Sequence, residues 1–179
     1  MMKCFSYCEQ GLVRKVNQDR ISVHFGGDYG IFLVADGVGG HYHGEIASSL
    51  IQNAVDQFAE NAVNITFDSG VIYWQKRLSE LNLQINQKAP AGKITAAAMV
   101  LLWIKEQRYA LFSIGDCRCY VLSADEIWQL SVDDIDAASG NLRYALGAQA
   151  ACPLHVETGA LGSISGFVLC SDGTYRYCD

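Results

Sequence analysis

Proline and charged residues are scarce in this sequence. The 179 residues include 2 prolines, and 18% of them are charged, whereas 50% are hydrophobic. So few prolines exclude a proline-rich linker or a collagen-like repeat, and low charge combined with high hydrophobicity excludes a mainly disordered chain. A chain of this length is expected to form one domain over residues 1–179. Its hydrophobic core should be large enough to stabilise the fold without a disulfide or a structural metal ion.

Basic residues are also in the minority. The chain has 13 Lys and Arg against 19 Asp and Glu, for a net charge of −6. Because surfaces that bind nucleic acid are usually basic, this balance argues against a nucleic-acid partner. The longest apolar run, residues 96–104, is too short for a membrane-spanning helix, which needs about 20 residues, so no membrane partner is expected.

The seven cysteines do not have the spacing of a zinc or redox motif, because no CxxC pair occurs. Cys170 lies in an apolar run, where a reduced thiol behaves as a small hydrophobic side chain. No apolar leader is visible in residues 1–11. Together these features predict a reducing, cytoplasmic location.

The hydrophobic pattern predicts strands, then two helices, then further strands. Early strands are expected at residues 2–7, 20–25 and 29–35. Helices are expected at residues 46–58 and 69–88, the second with Asp68 or Ser69 as its N-cap. A meander is expected at 95–104, 108–114, 117–122 and 126–130, followed by strands at 153–157 and 165–170. This order is typical of an α+β fold with helices outside and sheets inside.

Three aspartates follow apolar runs and stand next to glycine. Asp36 follows the letters FLVA, Asp116 follows FSIG and Asp172 follows FVLCS, while a fourth, Asp19, comes just before a strand. Strand ends of one sheet converge, so the four carboxylates could meet at one rim. A hard divalent cation such as Mg²⁺ or Mn²⁺ would relieve their mutual repulsion there. For any single Asp-Gly pair an ordinary turn remains the simpler explanation, but three such pairs favour a metal site.

Four strings of residues, in this order, resemble the metal-dependent type 2C serine/threonine protein phosphatases, in particular their compact bacterial members. The strings are RKVNQD at 14–19, ADGVGG at 35–40, IGDCRCY at 114–120 and CSDG at 170–173. Each string alone is weak, but four in order are specific. The resemblance implies a four-layer α-β-β-α sandwich, with two antiparallel sheets between helices and a binuclear Mn²⁺ or Mg²⁺ site at one edge.

The same resemblance implies roles for individual metal ligands. Asp36 would bridge two metal ions, and the carbonyl group of Gly37 would bind one of them. Asp172 would bind the metal pair, and Asp19 would act through a metal-bound water. Asp116 would hold a third, more weakly bound ion.

The resemblance also implies a reaction and a substrate. Arg14 would grip the substrate phosphate, a role that suits the forked guanidinium group, and is expected to be catalytic together with Asp36. The reaction would be hydrolysis of phosphoserine or phosphothreonine in a phosphoprotein by metal-activated water. No covalent phosphoenzyme is needed, so the cysteines need not act as nucleophiles.

A departure from the family pattern at the C-terminus leaves alternatives open. The chain ends at Asp179 without a counterpart of a later Asp-Asn segment that supplies a metal ligand in the family, so C-terminal elements are expected to be missing. A catalytically weak or inactive module that binds a phosphoprotein or another partner is therefore one alternative. An unrelated α+β protein with coincidental turns is the other. The short end would expose a sheet edge and an apolar face, which predicts a homodimer or a compensating rearrangement.

Overall fold

A computed structural model describes residues 2–12, 15–38 and 43–176. Within them the strands are β1 (Asp19–Gly26), β2 (Tyr29–Gly37), β3 (Ala97–Lys105), β4 (Arg108–Ile114), β5 (Arg118–Leu122), β6 (Ile127–Gln129), β7 (His155–Ala160) and β8 (Gly166–Cys170). The helices are α1 (Gly44–Ala59), α2 (Phe67–Lys88) and α3 (Asp172–Tyr175), with a short 3-10 helix at Ala62–Asn64. Of the helices in this part of the chain, none is both long and apolar enough to cross a membrane.

The strands form two sheets in which all neighbouring strands are antiparallel. The larger sheet has the order β1-β2-β3-β4-β7, and the smaller sheet has the order β6-β5-β8. The predicted α+β class with two antiparallel sheets is therefore confirmed. After β8 the described chain adds only the four-residue helix α3 and Arg176.

Strand β3 joins two hydrophobic cores. Met99, Leu101 and Trp103 belong to the core that the larger sheet forms with α1 and α2. Val100 and Leu102 belong to the core between the two sheets. Because successive side chains of a strand point to opposite faces, a continuous apolar run can pack against helices on one side and a second sheet on the other. This layering brings strand ends from both sheets to a common rim.

The strand predicted at residues 2–7 is wrong. The structure has no strand in this segment, and none of the described strands pairs with it. Phe5 and Tyr7 are 95% and 79% exposed. A strand is stabilised by a hydrogen-bonded neighbour and by burial of one face, and these two rings lack such a face to pack against.

Helix α2 begins two residues earlier than predicted. Its N-cap is Thr66, rather than Asp68 or Ser69, and the Thr66 side chain accepts a hydrogen bond from the Ser69 N–H at 3.3 Å. The first helical residue, Phe67, is only 1% exposed. Burial of this ring in the helix-side core favours the earlier start, which capping residues alone do not reveal.

Strands β4 and β5 belong to different sheets, so the predicted continuous meander is wrong at this point. β4 pairs with β7, whereas β5 pairs with β6 and β8. Between them lies Gly115 with φ of 91°, a conformation that favours glycine. A Cβ atom on Gly115 would lie 2.5 Å from the Cβ of Ala98. This glycine therefore lets the chain leave the larger sheet, and it places Asp116 at the crossover.

Candidate active site

Asp19 and Asp36 face each other across the first strand pair. Asp19 is the first residue of β1 and is the register partner of Asp36 near the end of β2. Directly opposed residues of antiparallel strands have Cβ atoms about 4.5–5.5 Å apart. The register therefore brings two carboxylates together at one edge of the larger sheet.

Asp116 and Asp172 line the same open pocket as this pair. The pocket has a volume of about 1170 Å³, and Gly37 also lines it. Asp116 reaches the pocket from the crossover between the sheets, and Asp172 reaches it from the start of α3. The structure thus brings together the five residues that the sequence analysis names as metal ligands.

Crowding and burial change the protonation of these carboxylates. Burial raises the pKa of Asp36 from 3.8 to about 9, with smaller contributions from the charges of Asp19 and Asp172. The side chains of Asp36 and Asp19 also share a hydrogen bond. Burial and the charge of Asp172 likewise raise the pKa of Asp116. At neutral pH Asp36 therefore holds a proton at a place where a cation would be favourable.

The chemistry of the donor set fits a hard divalent cation. Carboxylate and backbone carbonyl oxygens are the ligands that Mg²⁺ and Mn²⁺ prefer, and a cation would remove the repulsion among the acids. Within the described ranges, no three Asp, Glu, His or Cys side chains already have the geometry of a metal-ligand cluster. Instead, the carboxylates are held by Ser171, by Arg176 and by the proton on Asp36.

Ser171 orients Asp19. Its Oγ donates a hydrogen bond to Asp19 Oδ2 at 2.9 Å, and the Asp19 N–H donates to Asn17 Oδ1 at 2.9 Å. Ser171 is buried and directly precedes Asp172, so this bond connects the segment that carries Asp172 to Asp19. No sequence pattern predicts this role, although Ser171 stands within the CSDG string.

Gly37 allows the end of β2 to approach the start of α1. A Cβ atom on Gly37 would lie 2.5 Å from the carbonyl carbon of Gly44. The Gly37 N–H donates to the carbonyl oxygen of Gln18 at 3.1 Å, and Ser48 Oγ donates to the same oxygen at 2.7 Å. Only a residue without a side chain fits here, and the contact fixes the backbone next to Asp36.

Arg176 lies between two of the carboxylates, a position that none of the sequence motifs predicts. Its Nη2 is 3.1 Å from Asp116 Oδ2, and its Nη1 is 3.1 Å from Asp172 Oδ2. The preceding Tyr175 hydroxyl donates to the Asp116 carbonyl at 2.8 Å, and the Arg118 guanidinium stacks 3.6 Å from the Tyr175 ring centre. The only sequence signal for Arg176 is its position four residues after Asp172, which is the spacing of a helical ion pair.

Asp134 supports the backbone that carries Asp116. Its Oδ2 accepts a hydrogen bond from the Gly115 N–H at 2.9 Å, and its Oδ1 lies 2.9 Å from His155 Nε2. Asp134 is buried, so the loss of this acceptor would leave a buried donor unsatisfied. Asp134 lies between the strands predicted at 126–130 and 153–157, where no periodicity indicates its role.

The predicted phosphate-binding residue, Arg14, lies outside the described residues. Among those that the structure does describe, Lys15 and Arg176 bring positive charge to the lining of the pocket. Lys15 is exposed, whereas Arg176 is held by the two ion pairs with acidic residues.

The thiols beside the pocket are poor nucleophiles. Burial raises the pKa of the Cys117 thiol well above its usual value, and it raises the pKa of Cys119 to about 12. Both side chains lie in the core between the sheets. Since the thiolate is the reactive form, neither residue supports covalent catalysis at neutral pH.

Comparison with known sequences points to one family. The family model for protein phosphatase 2C matches residues 13–177. The chain is 28% identical over 130 residues to the serine/threonine phosphatase stp of Listeria innocua, an alignment that covers 70% of this chain and 52% of that protein. The chain therefore spans about half the length of this curated relative.

Solved structures share the fold. Serine/threonine phosphatase Stp1 from Staphylococcus aureus superposes with a TM-score of 0.85 at 18% identity, covering 97% of this chain and 77% of that one. The catalytic domain of the serine/threonine protein phosphatase PstP, in a structure with two manganese ions, gives a TM-score of 0.77 at 23% identity. That match covers 97% of this chain and 78% of the PstP chain.

Proposed function

The chain belongs to the protein phosphatase 2C family, and we propose that it hydrolyses phosphoserine and phosphothreonine in proteins with the help of divalent cations. One observation carries this proposal, namely that four aspartates, two from the larger sheet, one from the crossover between the sheets and one from α3, line one pocket, in which the pKa of Asp36 is raised to about 9. Relatives that are named serine/threonine phosphatases support a phosphoprotein as the substrate.

Two ions, Mn²⁺ or Mg²⁺, would be held mainly by Asp36, Asp172 and the carbonyl group of Gly37. Asp19 would contribute through a water molecule, and Asp116 would hold a third ion more weakly. Bound divalent ions lower the pKa of a coordinated water and neutralise charge on the phosphoryl group. The two manganese ions in the PstP structure support this choice of metal.

The side chains of the pocket prepare it for this chemistry. Asp36 would have to release its proton to hold a cation, because metal ligands bind in the deprotonated form. Ser171 keeps Asp19 in place, and the tight contact at Gly37 keeps the backbone beside Asp36 in place. The pocket would thus present a rigid set of oxygen ligands.

Arg14 would bind the substrate phosphate. A guanidinium group can donate two parallel hydrogen bonds to phosphate oxygens, which a single ammonium group cannot do with the same geometry. The next residue in the chain, Lys15, lines the acidic pocket, which supports this proposal.

We further propose one phosphatase domain over residues 1–179 and a cytoplasmic location. Free thiols, as in proteins of a reducing compartment, are present at Cys4, Cys8, Cys117, Cys119 and Cys152.

We also propose a homodimer through the smaller sheet. Within the described residues, β8 is an edge strand of that sheet and its Val168 is 45% exposed, and such edges readily pair with a second copy.

Hydrolysis of para-nitrophenyl phosphate with Mn²⁺ tests the proposal. We expect turnover by the unchanged protein and a loss of about a hundredfold or more in Asp36→Ala, because this variant removes the central ligand. Asp125→Ala, which changes an exposed acid outside the pocket, is the matched control and should keep full activity. Equal rates for the unchanged protein and Asp36→Ala would refute catalysis at this pocket.

A second assay tests the substrate class. Phosphoserine and phosphothreonine peptides should be dephosphorylated, whereas the same peptide with phosphotyrosine should react much more slowly. A protein that binds Mn²⁺ and these phosphopeptides without releasing phosphate would instead be the inactive binding module.

A further inference from the structure

A cation that belongs to the protein itself occupies part of the acidic pocket. The Arg176 guanidinium spans Asp116 and Asp172, with one nitrogen at 3.1 Å from each carboxylate. On the other side of the pocket, Asp19 and Asp36 face each other in the register of β1 and β2, and no arginine or lysine is paired with either of them among the ion pairs of the described residues. The pocket therefore has one half that is neutralised by an arginine and one half in which no described arginine or lysine forms an ion pair.

We propose that Arg176 is a built-in counterion that takes the place of a divalent cation between Asp116 and Asp172. The chain then binds its first ion beside Asp19 and Asp36, and a further ion binds only when the guanidinium moves away. This inference rests on the proposed function, because it assumes that the acidic pocket is a metal site.

The charge and the exposure of Arg176 make it a competitor that can be displaced. A guanidinium group stays protonated at all relevant pH values, so its charge is permanent. The guanidinium group would repel a metal ion a few ångströms away, and this repulsion would be twice as strong for a divalent ion as for a monovalent ion. At the same time the side chain is 50% exposed, so water can solvate it when it leaves. Arg176 therefore lowers the affinity for a metal ion between Asp116 and Asp172 without blocking this position permanently.

Helix α3 is held in place by contacts of Tyr175, in addition to the ion pairs of the Arg176 guanidinium group. The Tyr175 hydroxyl donates to the Asp116 carbonyl at 2.8 Å, and the Tyr175 ring stacks on Arg118. Arg118 is in turn paired with Asp133 at 2.7 Å. Removal of the Arg176 charge should therefore leave Asp116 and Asp172 close to their present positions, so that the vacated space is available to a metal ion.

Mn²⁺ binding by equilibrium dialysis tests the inference, with free Mn²⁺ measured by its EPR signal. In Arg176→Gln we expect one more ion per chain than in the unchanged protein, or an affinity for the weakest ion that is higher by about tenfold. Arg176→Lys keeps a positive charge and should stay near the unchanged protein. Arg143→Gln removes an exposed arginine outside the pocket and is the matched charge control.

The outcomes separate this inference from the proposed function. If the unchanged protein binds Mn²⁺ and Arg176→Gln binds it identically, the inference is wrong and the metal site stands. If Arg143→Gln tightens binding as much as Arg176→Gln, only net charge is at work and the inference is again wrong. If neither protein binds Mn²⁺ at millimolar concentration, both fail. Arg176→Met, which keeps the apolar stem, replaces Arg176→Gln if thermal melting shows that the glutamine variant does not fold.

Discussion

Ser171 donates a hydrogen bond to Asp19 at 2.9 Å, although the two residues are 152 positions apart in the chain. The bond connects the end of the smaller sheet to the first strand of the larger sheet. It orients one carboxylate of the pocket and places the neighbouring Asp172 beside it. Hydrogen bonds of this kind, made to a ligand rather than to the metal, commonly tune affinity.

Ser171→Ala should therefore weaken Mn²⁺ binding by about tenfold or more. The hydroxyl group is lost, Asp19 is free to rotate, and the carboxylate must be ordered again when the ion binds. Titration calorimetry with Mn²⁺ measures the effect. Ser165→Ala is the matched control, since Ser165 also donates a hydrogen bond, to the Leu122 carbonyl at 3.0 Å, but lies on the surface away from the pocket. Equal affinities of the two variants would contradict the role given to Ser171.

The stability of the metal-free protein should fall as pH rises. The pKa of Asp36 is about 9 in the folded state and 3.8 as a free side chain, so between these values the folded protein holds one more proton than the unfolded chain. Stability decreases with pH wherever the folded state binds more protons. We expect the Tm in EDTA to fall by about 10 °C between pH 5 and pH 8.

Asp36→Asn provides the control for this pH dependence. An amide does not titrate, so the variant should be more stable than the unchanged protein at pH 8 and should show a flatter profile. Glu45, whose pKa is lowered to about 2 by hydrogen bonds from Gln18 and His43, affects stability only at more acidic pH. A profile for Asp36→Asn as steep as that of the unchanged protein would assign the slope to other groups.

Gly37 and Gly173 each follow an aspartate of the pocket, but only Gly37 should be sensitive to a side chain. A Cβ atom on Gly37 would lie 2.5 Å from the carbonyl carbon of Gly44, whereas nothing lies within 4 Å of a Cβ atom on Gly173. Gly37→Ala should lower the free energy of unfolding by about 1–3 kcal/mol. It should also weaken Mn²⁺ binding, because the backbone beside Asp36 must shift.

Gly173→Ala is the matched control and should change the free energy of unfolding by no more than about 0.5 kcal/mol. Urea unfolding in EDTA followed by Mn²⁺ titration measures both quantities. If Gly37→Ala behaves like Gly173→Ala in both assays, the close approach between β2 and α1 does not hold the site.

The proposed homodimer makes a prediction for β8. Sedimentation velocity should show a dimer for the unchanged protein, and Val168→Lys should shift it towards monomer, because a charge on an exposed edge strand opposes pairing with another copy. Val132→Lys, at a valine that is 49% exposed and lies outside the smaller sheet, is the control. A monomer at all concentrations would refute the dimer.

Local sequence patterns were sufficient for most elements of the fold. The alternating and continuous apolar runs predict β1, β2, β3 and β4 to within a few residues, because the two-residue period of a strand is visible over a short stretch. The predicted N-cap of α2, Asp68 or Ser69, lies two or three residues after the actual N-cap, Thr66, because burial of Phe67 favours an earlier start of the helix. The strand at residues 2–7 failed for a related reason, since apolar residues form a strand only when a sheet accepts them.

What the sequence by itself determined about this protein is the family and the set of acidic residues at strand ends, because both are carried by short strings such as ADG and SDG. The tertiary structure alone decided that the chain changes sheets at Gly115, that Asp134 supports this turn and that Arg176 lies between Asp116 and Asp172. The physical reason is the distance along the chain over which each kind of interaction acts. Periodicity and turn chemistry act over a few neighbouring residues, whereas the partners of Asp116 and Asp19 are 60 and 152 positions away and meet them only when the layers pack.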